Sequence, residues 1–95
     1  MPDFVVRVVL HGAKDPEDYN DFHEEMEAKH YYRTITSDEG VTFELPPATY
    51  RAGGVDWTME MIRAEVRAIA DATGFSNAVL VTESNGSAWI GLGIA

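Results

Sequence analysis

The chain has 95 residues, 45% apolar and 11% aromatic, which fits one globular domain and excludes a disordered segment. It has no cysteine, which excludes a disulfide framework, thiolate zinc sites and a cysteine nucleophile together. Seven Lys and Arg stand against 16 Asp and Glu, and the resulting −9 works against generic binding to a phosphate backbone.

Met1-Pro2-Asp3 lacks the positive n-region of a signal peptide, and Arg7 interrupts the only early apolar run. No stretch approaches the ~18 apolar residues of a membrane span, so the expected address is cytoplasmic and away from membranes. FVVRVVLH (4–11) is β-branched and apolar, and reads as a largely buried strand. Phe4, Val6, Val8 and Leu10 would share one face; Val5, Arg7, Val9 and His11 would share the other.

After Gly12-Ala13-Lys14, Asp15 is a good N-cap and Pro16 suits the first helical position, with Glu17 and Asp18 complementing the helix dipole. Tyr19, Phe22 and Met26 form an apolar stripe, so this helix is expected to run to about His30. YYRTITSD (31–38) and VTFEL (41–45) flank Glu39-Gly40 and read as a hairpin. Pro46-Pro47 must break or bulge the second strand, and ATYR (48–51) can resume it at an edge.

Gly53-Gly54 makes the next break. A second helix is expected from Asp56 or Thr58 to Gly74, with Ile62, Val66 and Ile69 on one stripe. SNAVLVTES (76–84), an Asn85-Gly86 turn and SAWIGL (87–92) read as a final hairpin. The order β-α-β-β-α-β plus a trailing strand predicts a ferredoxin-like α+β sandwich, with two helices on one face of an antiparallel sheet. The usual strand order, 4-1-3-2, would pair the trailing strand outside the fourth.

Residues 14–30 hold seven acids and two lysines, so more than half of the net charge lies on the first helix. Glu17, Asp18, Asp21, Glu24, Glu25 and Glu27 form either a solvated helix face or an acidic surface that mimics nucleic-acid phosphates for a basic partner. Arg7 faces the open side of the sheet in this reading, and Arg33 and Arg51 follow the two breaks. An open sheet with such a patch could receive RNA, and one carrying Val5, Val9, Val79 and Val81 could equally form a dimer.

His11 and His30 lie at opposite ends of a helix roughly 20 Å long, too far apart to act on one phosphate. His23 and His30 are two turns apart, and His23 with Glu27 supplies only two metal ligands, so no metal site is expected. His23, at the border of the apolar stripe, is the better acid/base candidate. Neither a phosphate-binding glycine loop nor a Gly-x-Ser-x-Gly elbow is present. Tyr50 and Trp57 bracket Gly53-Gly54, either as a small recognition edge or as core aromatics.

VRVVLHGA (6–13), FHEEM (22–26), RTITSDEGVTFELPPATY (33–50) and ATGFSNAVLVTE (72–83) together resemble the family grouped with GhoS, the antitoxin of type V toxin–antitoxin systems. Members are small bacterial and prophage-borne proteins. The resemblance implies a ferredoxin-like fold shared with CRISPR-associated nucleases, and an endoribonuclease that cleaves its toxin's messenger. A functional arginine of the family's first helix falls at His23, and an aromatic of its split third strand falls at Tyr50.

On that resemblance, His23 is the expected acid/base for metal-independent cleavage of single-stranded RNA through the 2′-hydroxyl. Arg7, Arg33 and Arg51 are the expected RNA contacts, Tyr50 a base-stacking residue, and no cofactor is required. The alternatives are a non-catalytic acidic protein that binds a basic partner through its first helix, and a homodimeric structural module. The module would use the open sheet face or the trailing strand with Trp89, Ile90 and Leu92.

Overall fold

The computed structural model describes residues 3–14, 16–53, 56–84, 86 and 88–95. The expected N-cap Asp15, the turn residue Asn85 and the break residue Gly54 lie outside the described residues, as do Met1, Pro2, Val55 and Ser87. In chain order come strand β1 (Asp3–Leu10), helix α1 (Pro16–Ala28), and strands β2 (Thr34–Thr36), β3 (Thr42–Glu44) and β4 (Thr49–Gly53). Helix α2 (Met59–Asp71) and strand β5 (Asn77–Ser84) follow. β1 is the middle of an antiparallel sheet ordered β4-β1-β5, while β2 and β3 form an antiparallel ribbon. The result is a small α+β arrangement of two helices and antiparallel sheets.

β1 alternates as its sequence predicts. Phe4, Val6, Val8 and Leu10 are buried, and Arg7, Val9 and His11 are exposed. Val6 pairs with Tyr50 on one side and Val81 on the other, and Val8 pairs with Val79, so these side chains share the buried face. This corrects the expected open face: Val79 and Val81 pack on the core, and the open face carries Ala78, Leu80 and Thr82 instead. β5 has apolar residues at both parities, so its pairing to β1 decides which of them is covered. Leu80, opposite Arg7, is left 59% exposed.

Phe22 and Met26 of α1 and Ile62, Val66 and Ala70 of α2 close the buried face, with Tyr31 and Tyr50 among them. α1 stops at Ala28, two residues before the expected His30. His30 takes a positive φ of 69°, and its N–H donates to Glu27 O while the Tyr31 N–H donates to Met26 O. That is a Schellman ending with histidine in the left-handed position, held by burial of both Met26 and Tyr31. α2 starts at Thr58, whose Oγ1 accepts from the Met61 N–H, and Gly74 follows its last turn with φ 86°.

The β2–β3 turn is closed by Ser37 N–H to Val41 O and Gly40 N–H to Ser37 O. β3 then ends before Pro46-Pro47, and Ala48, with φ 57°, redirects the chain into β4 at the edge of the three-stranded sheet. One bridge, Tyr32 to Arg51, ties the β2 side to β4.

The chain end departs from expectation. The described part of 87–92 is not a strand beside β5; residues 93–95 run along β3, with a bridge between Phe43 and Ile94. Glu44 N–H donates to Gly93 O (2.8 Å) and Ala95 N–H to Thr42 O (3.0 Å). Trp89 packs edge-on against Phe43 with ring centroids 5.6 Å apart, an aromatic contact that the outer edge of β5 does not offer. Among the described residues, no helix is long and apolar enough to cross a membrane.

Met26 is fully buried between the helix layer and the sheet, whereas Glu24 is exposed on the same helix. Met26→Ala is expected to lower stability by about 2–5 kcal/mol, and Glu24→Ala by no more than about 0.5 kcal/mol, in urea unfolding.

Candidate functional site

Three side chains predicted from separate parts of the sequence meet at one place. His23 lies on α1 one turn after Tyr19, and the two rings stack with centroids 5.8 Å apart. Across from them, Tyr50 rises from the start of β4 beneath the Pro46-Pro47 break, and its Oη lies 2.5 Å from His23 Nδ1. Arg33, from the segment before β2, lines the same groove, which is ≈ 670 Å³ and also bordered by Asn20, Thr34 and Glu44.

The connection from β3 to β4 through Pro46, Pro47 and Ala48 forms one wall of this groove. Successive β1 amides point to opposite neighbours: His11 N–H donates to Ser76 O on the β5 side, and Val8 N–H to Ala48 O on the β4 side. Leu10 N–H therefore points to the β4 side, past the end of the β1–β4 pairing at Arg7 and Thr49. Tyr19 Oη takes that position and accepts the bond at 3.1 Å. Tyr19 was legible in the sequence only as part of the apolar stripe; its i, i+4 spacing from His23 was the available signal.

Electrostatics keeps both hydrogen-bonded groups uncharged. Burial lowers the pKa of His23 below its ordinary 6.5, the Arg33 charge lowers it further, and Glu27 opposes both. Burial raises the Tyr50 hydroxyl far above its usual range, with Arg33 acting against the shift. A neutral imidazole thus faces a protonated phenol. If Tyr50 O–H donates to Nδ1, the ring carries its proton on Nε2; if Nδ1–H donates to Oη, Nε2 offers a lone pair. Either way Nε2 has no protein hydrogen-bond partner among the described residues.

The other expected contacts are placed differently. Tyr50 is 0% exposed and packs edge-on against Phe22 at 5.9 Å, so its ring has no free face for a base, which corrects the stacking role. Arg7 is exposed on the open sheet face, apart from Arg33. Arg51 shares that face but is half-buried and paired with Asp3 at 3.1 Å. His30 bonds through Nδ1 to Tyr32 Oη (2.9 Å), away from His23. Trp57 packs on Tyr31, whose hydroxyl donates to Glu65 and thereby joins the β2 approach to α2.

On α1, Glu17, Asp21, Glu24, Glu25 and Glu27 are exposed, while Asp18 is half-buried and accepts from the Lys14 N–H. No group of three or more potential metal ligands occurs among the described residues. Comparison with family models, curated proteins and solved structures finds no match to this chain.

The depressed His23 pKa has a definite sign in stability. Well above pH 6.5 His23 is neutral in folded and unfolded chains and contributes nothing to the pH dependence. As pH falls below 6.5 the unfolded chain takes its proton first, so stability is lost until the lower folded pKa is passed. An NMR titration is expected to place the His23 midpoint below 6.5 in the wild type. In Arg33→Gln the midpoint should be higher but still depressed, because the burial remains.

Proposed function

We propose that the chain is a GhoS-like endoribonuclease of ferredoxin-like fold, acting on single-stranded RNA without a metal, with His23 as its general base. For the fold, β3 and β4 are taken as two halves of one interrupted third strand, so that β5, β1, this strand and β2 follow the 4-1-3-2 order. The antiparallel pairings of β1 with β4 and β5, and of β2 with β3, are consistent with that order.

The observation that carries the activity is the neutral His23, bonded through Nδ1 to buried Tyr50, with Arg33 beside it in an open groove. In the tautomer with Nδ1–H donating to Tyr50, Nε2 takes the proton of a ribose 2′-hydroxyl. The freed oxygen attacks the adjacent phosphorus, a P–O2′ bond forms and the P–O5′ bond breaks. The products are a 2′,3′-cyclic phosphate and a 5′-hydroxyl. The departing oxygen lies opposite the attacking one and takes its proton from solvent in the open groove. Arg33 offsets the negative charge that builds on the phosphoryl oxygens. Tyr50 is then a positioning residue that holds the imidazole, in place of its earlier stacking role.

A mixed single-stranded RNA pool, with and without chelator, tests this reading. Wild type is expected to cleave equally in both conditions, and His23→Ala to lose about 10²–10⁴ in rate. Tyr50→Phe keeps the ring packing and is expected to lose about 10–100-fold. Thermal unfolding of each variant separates loss of chemistry from loss of fold. No cleavage by wild type, or equal cleavage by wild type and His23→Ala, rejects the assignment.

The acidic helix supports a second reading, in which the chain binds a basic protein partner without catalysis. Glu17, Asp21, Glu24, Glu25 and Glu27 are exposed, and none has an ion pair among the described residues. Glu24→Lys, Glu25→Lys and Glu27→Lys together are expected to abolish salt-sensitive capture of a basic partner. Tight capture that survives this charge reversal counts against it.

A further inference from the structure

Tyr19 borders a second groove besides the one at His23. This groove of ≈ 300 Å³ begins on the far side of that ring and is lined by Arg7, Val9, Ala78 and Leu80. The two share Tyr19, Pro47 and Ala48 as a common wall. They therefore adjoin at the connection between β3 and β4, the first on the His23 side and the second on the open sheet face. Tyr19 is fixed at this junction by the Leu10 N–H.

The second groove has a chemistry suited to one kind of occupant. Among the described residues, Arg7 is the only charged residue lining it and has no ion pair, in contrast to Arg51 and Arg67. Its floor is apolar: Val9, two residues along β1 from Arg7, is 50% exposed, and Leu80, opposite Arg7 on β5, is 59% exposed. A cation beside an apolar shelf matches a nucleotide, with phosphate on the guanidinium and a base face on the aliphatic surface.

We propose that this groove is a second subsite for the single-stranded RNA cleaved at His23, so that the strand runs from Arg33 past Tyr19 to Arg7. The inference rests on the ribonuclease reading and adds to it the path of the substrate and the residue that anchors its far end. Arg7 would bind a phosphate removed from the one that reacts. Longer strands would then bind more tightly than a dinucleotide that fills only the His23 groove.

The test uses the full chain and a 2′-O-methyl oligouridylate of about 12 nucleotides, whose blocked hydroxyls prevent cleavage, beside the dinucleotide. Fluorescence anisotropy is read across a salt series for wild type, Arg7→Ala and Arg63→Ala, the last an exposed arginine of α2 that lines neither groove. Arg7→Ala is expected to weaken long-strand binding roughly three- to tenfold, and to make the slope of log K against log salt shallower by about 0.7. The ratio of long-strand to dinucleotide affinity should fall with it, and Arg63→Ala should change neither quantity. If Arg7→Ala behaves like Arg63→Ala while the long strand still binds, the second subsite is rejected and the His23 reading stands. An equal loss for dinucleotide and long strand also rejects it, because Arg7 then acts on the first groove. If wild type binds no strand, both readings fall.

Discussion

The break at Pro46-Pro47 is the constraint on which the rest of the molecule turns. Proline has no N–H and cannot serve a central ladder, so β3 ends before it and β4 begins after it, each in a different sheet. The chain resumes through Ala48 in the left-handed region, a conformation that costs an L-residue about 1–2 kcal/mol. Three bonds offset that cost: Val8 N–H and Thr49 N–H donate to the carbonyls of Ala48 and Pro46, and Thr49 Oγ1 donates to Pro47 O. Among the described residues, the change from the β2–β3 ribbon to the three-stranded sheet falls at this connection. That point is where α1 contributes Tyr19 and His23.

Polar satisfaction explains why those two residues occupy that place. Leu10 N–H is a buried donor without a strand partner, and leaving it unpaired would cost about 1–3 kcal/mol. Tyr19 meets that need with its hydroxyl. One helical turn on, His23 does the same for the phenol of Tyr50, whose ring is enclosed among Phe22 and the sheet. Packing and chemistry are therefore not separable here. The hydrogen bond that makes burial of Tyr50 tolerable also fixes the imidazole and leaves Nε2 outward.

Much of this was legible in the sequence where period and burial coincide. β1 read correctly because its four even-numbered apolar residues face one layer, and α2 because Thr58 and Gly74 punctuate a clear stripe. β5 was misread in facing because Ala78, Val79, Leu80 and Val81 are apolar at both parities, and only the pairing of Val79 with Val8 resolves them. The chain end was misread for a related reason. An Asn-Gly pair between apolar runs is a strong hairpin signal, yet local turn chemistry says nothing of the Phe43 ring on which Trp89 comes to rest. At the site, His23 and Tyr50 were both singled out, but their contact spans 27 positions and no local pattern encodes it. The sequence leaves the facing of Arg33 open, because a strand after a break has no evident parity.

The net charge of −9 limits what a strand-binding groove on this molecule can do. Nonspecific affinity for nucleic acid comes mostly from counterions released by many Lys and Arg contacts, and this chain has only seven such residues. Arg51 and Arg67 are engaged with Asp3 and Asp71, which leaves still fewer for a ligand. The exposed carboxylates of α1 would repel a strand outside the proposed path. Arg33 and Arg7 lie in the two grooves that meet at Tyr19, where the surfaces offered are an aromatic ring and an aliphatic shelf. Affinity for a strand in that path would depend on fit to those surfaces more than on total charge. On the proposed reading, an acidic chain of this kind would give up general attraction to polyanions and would hold a strand by its fit to Tyr19 and the aliphatic shelf.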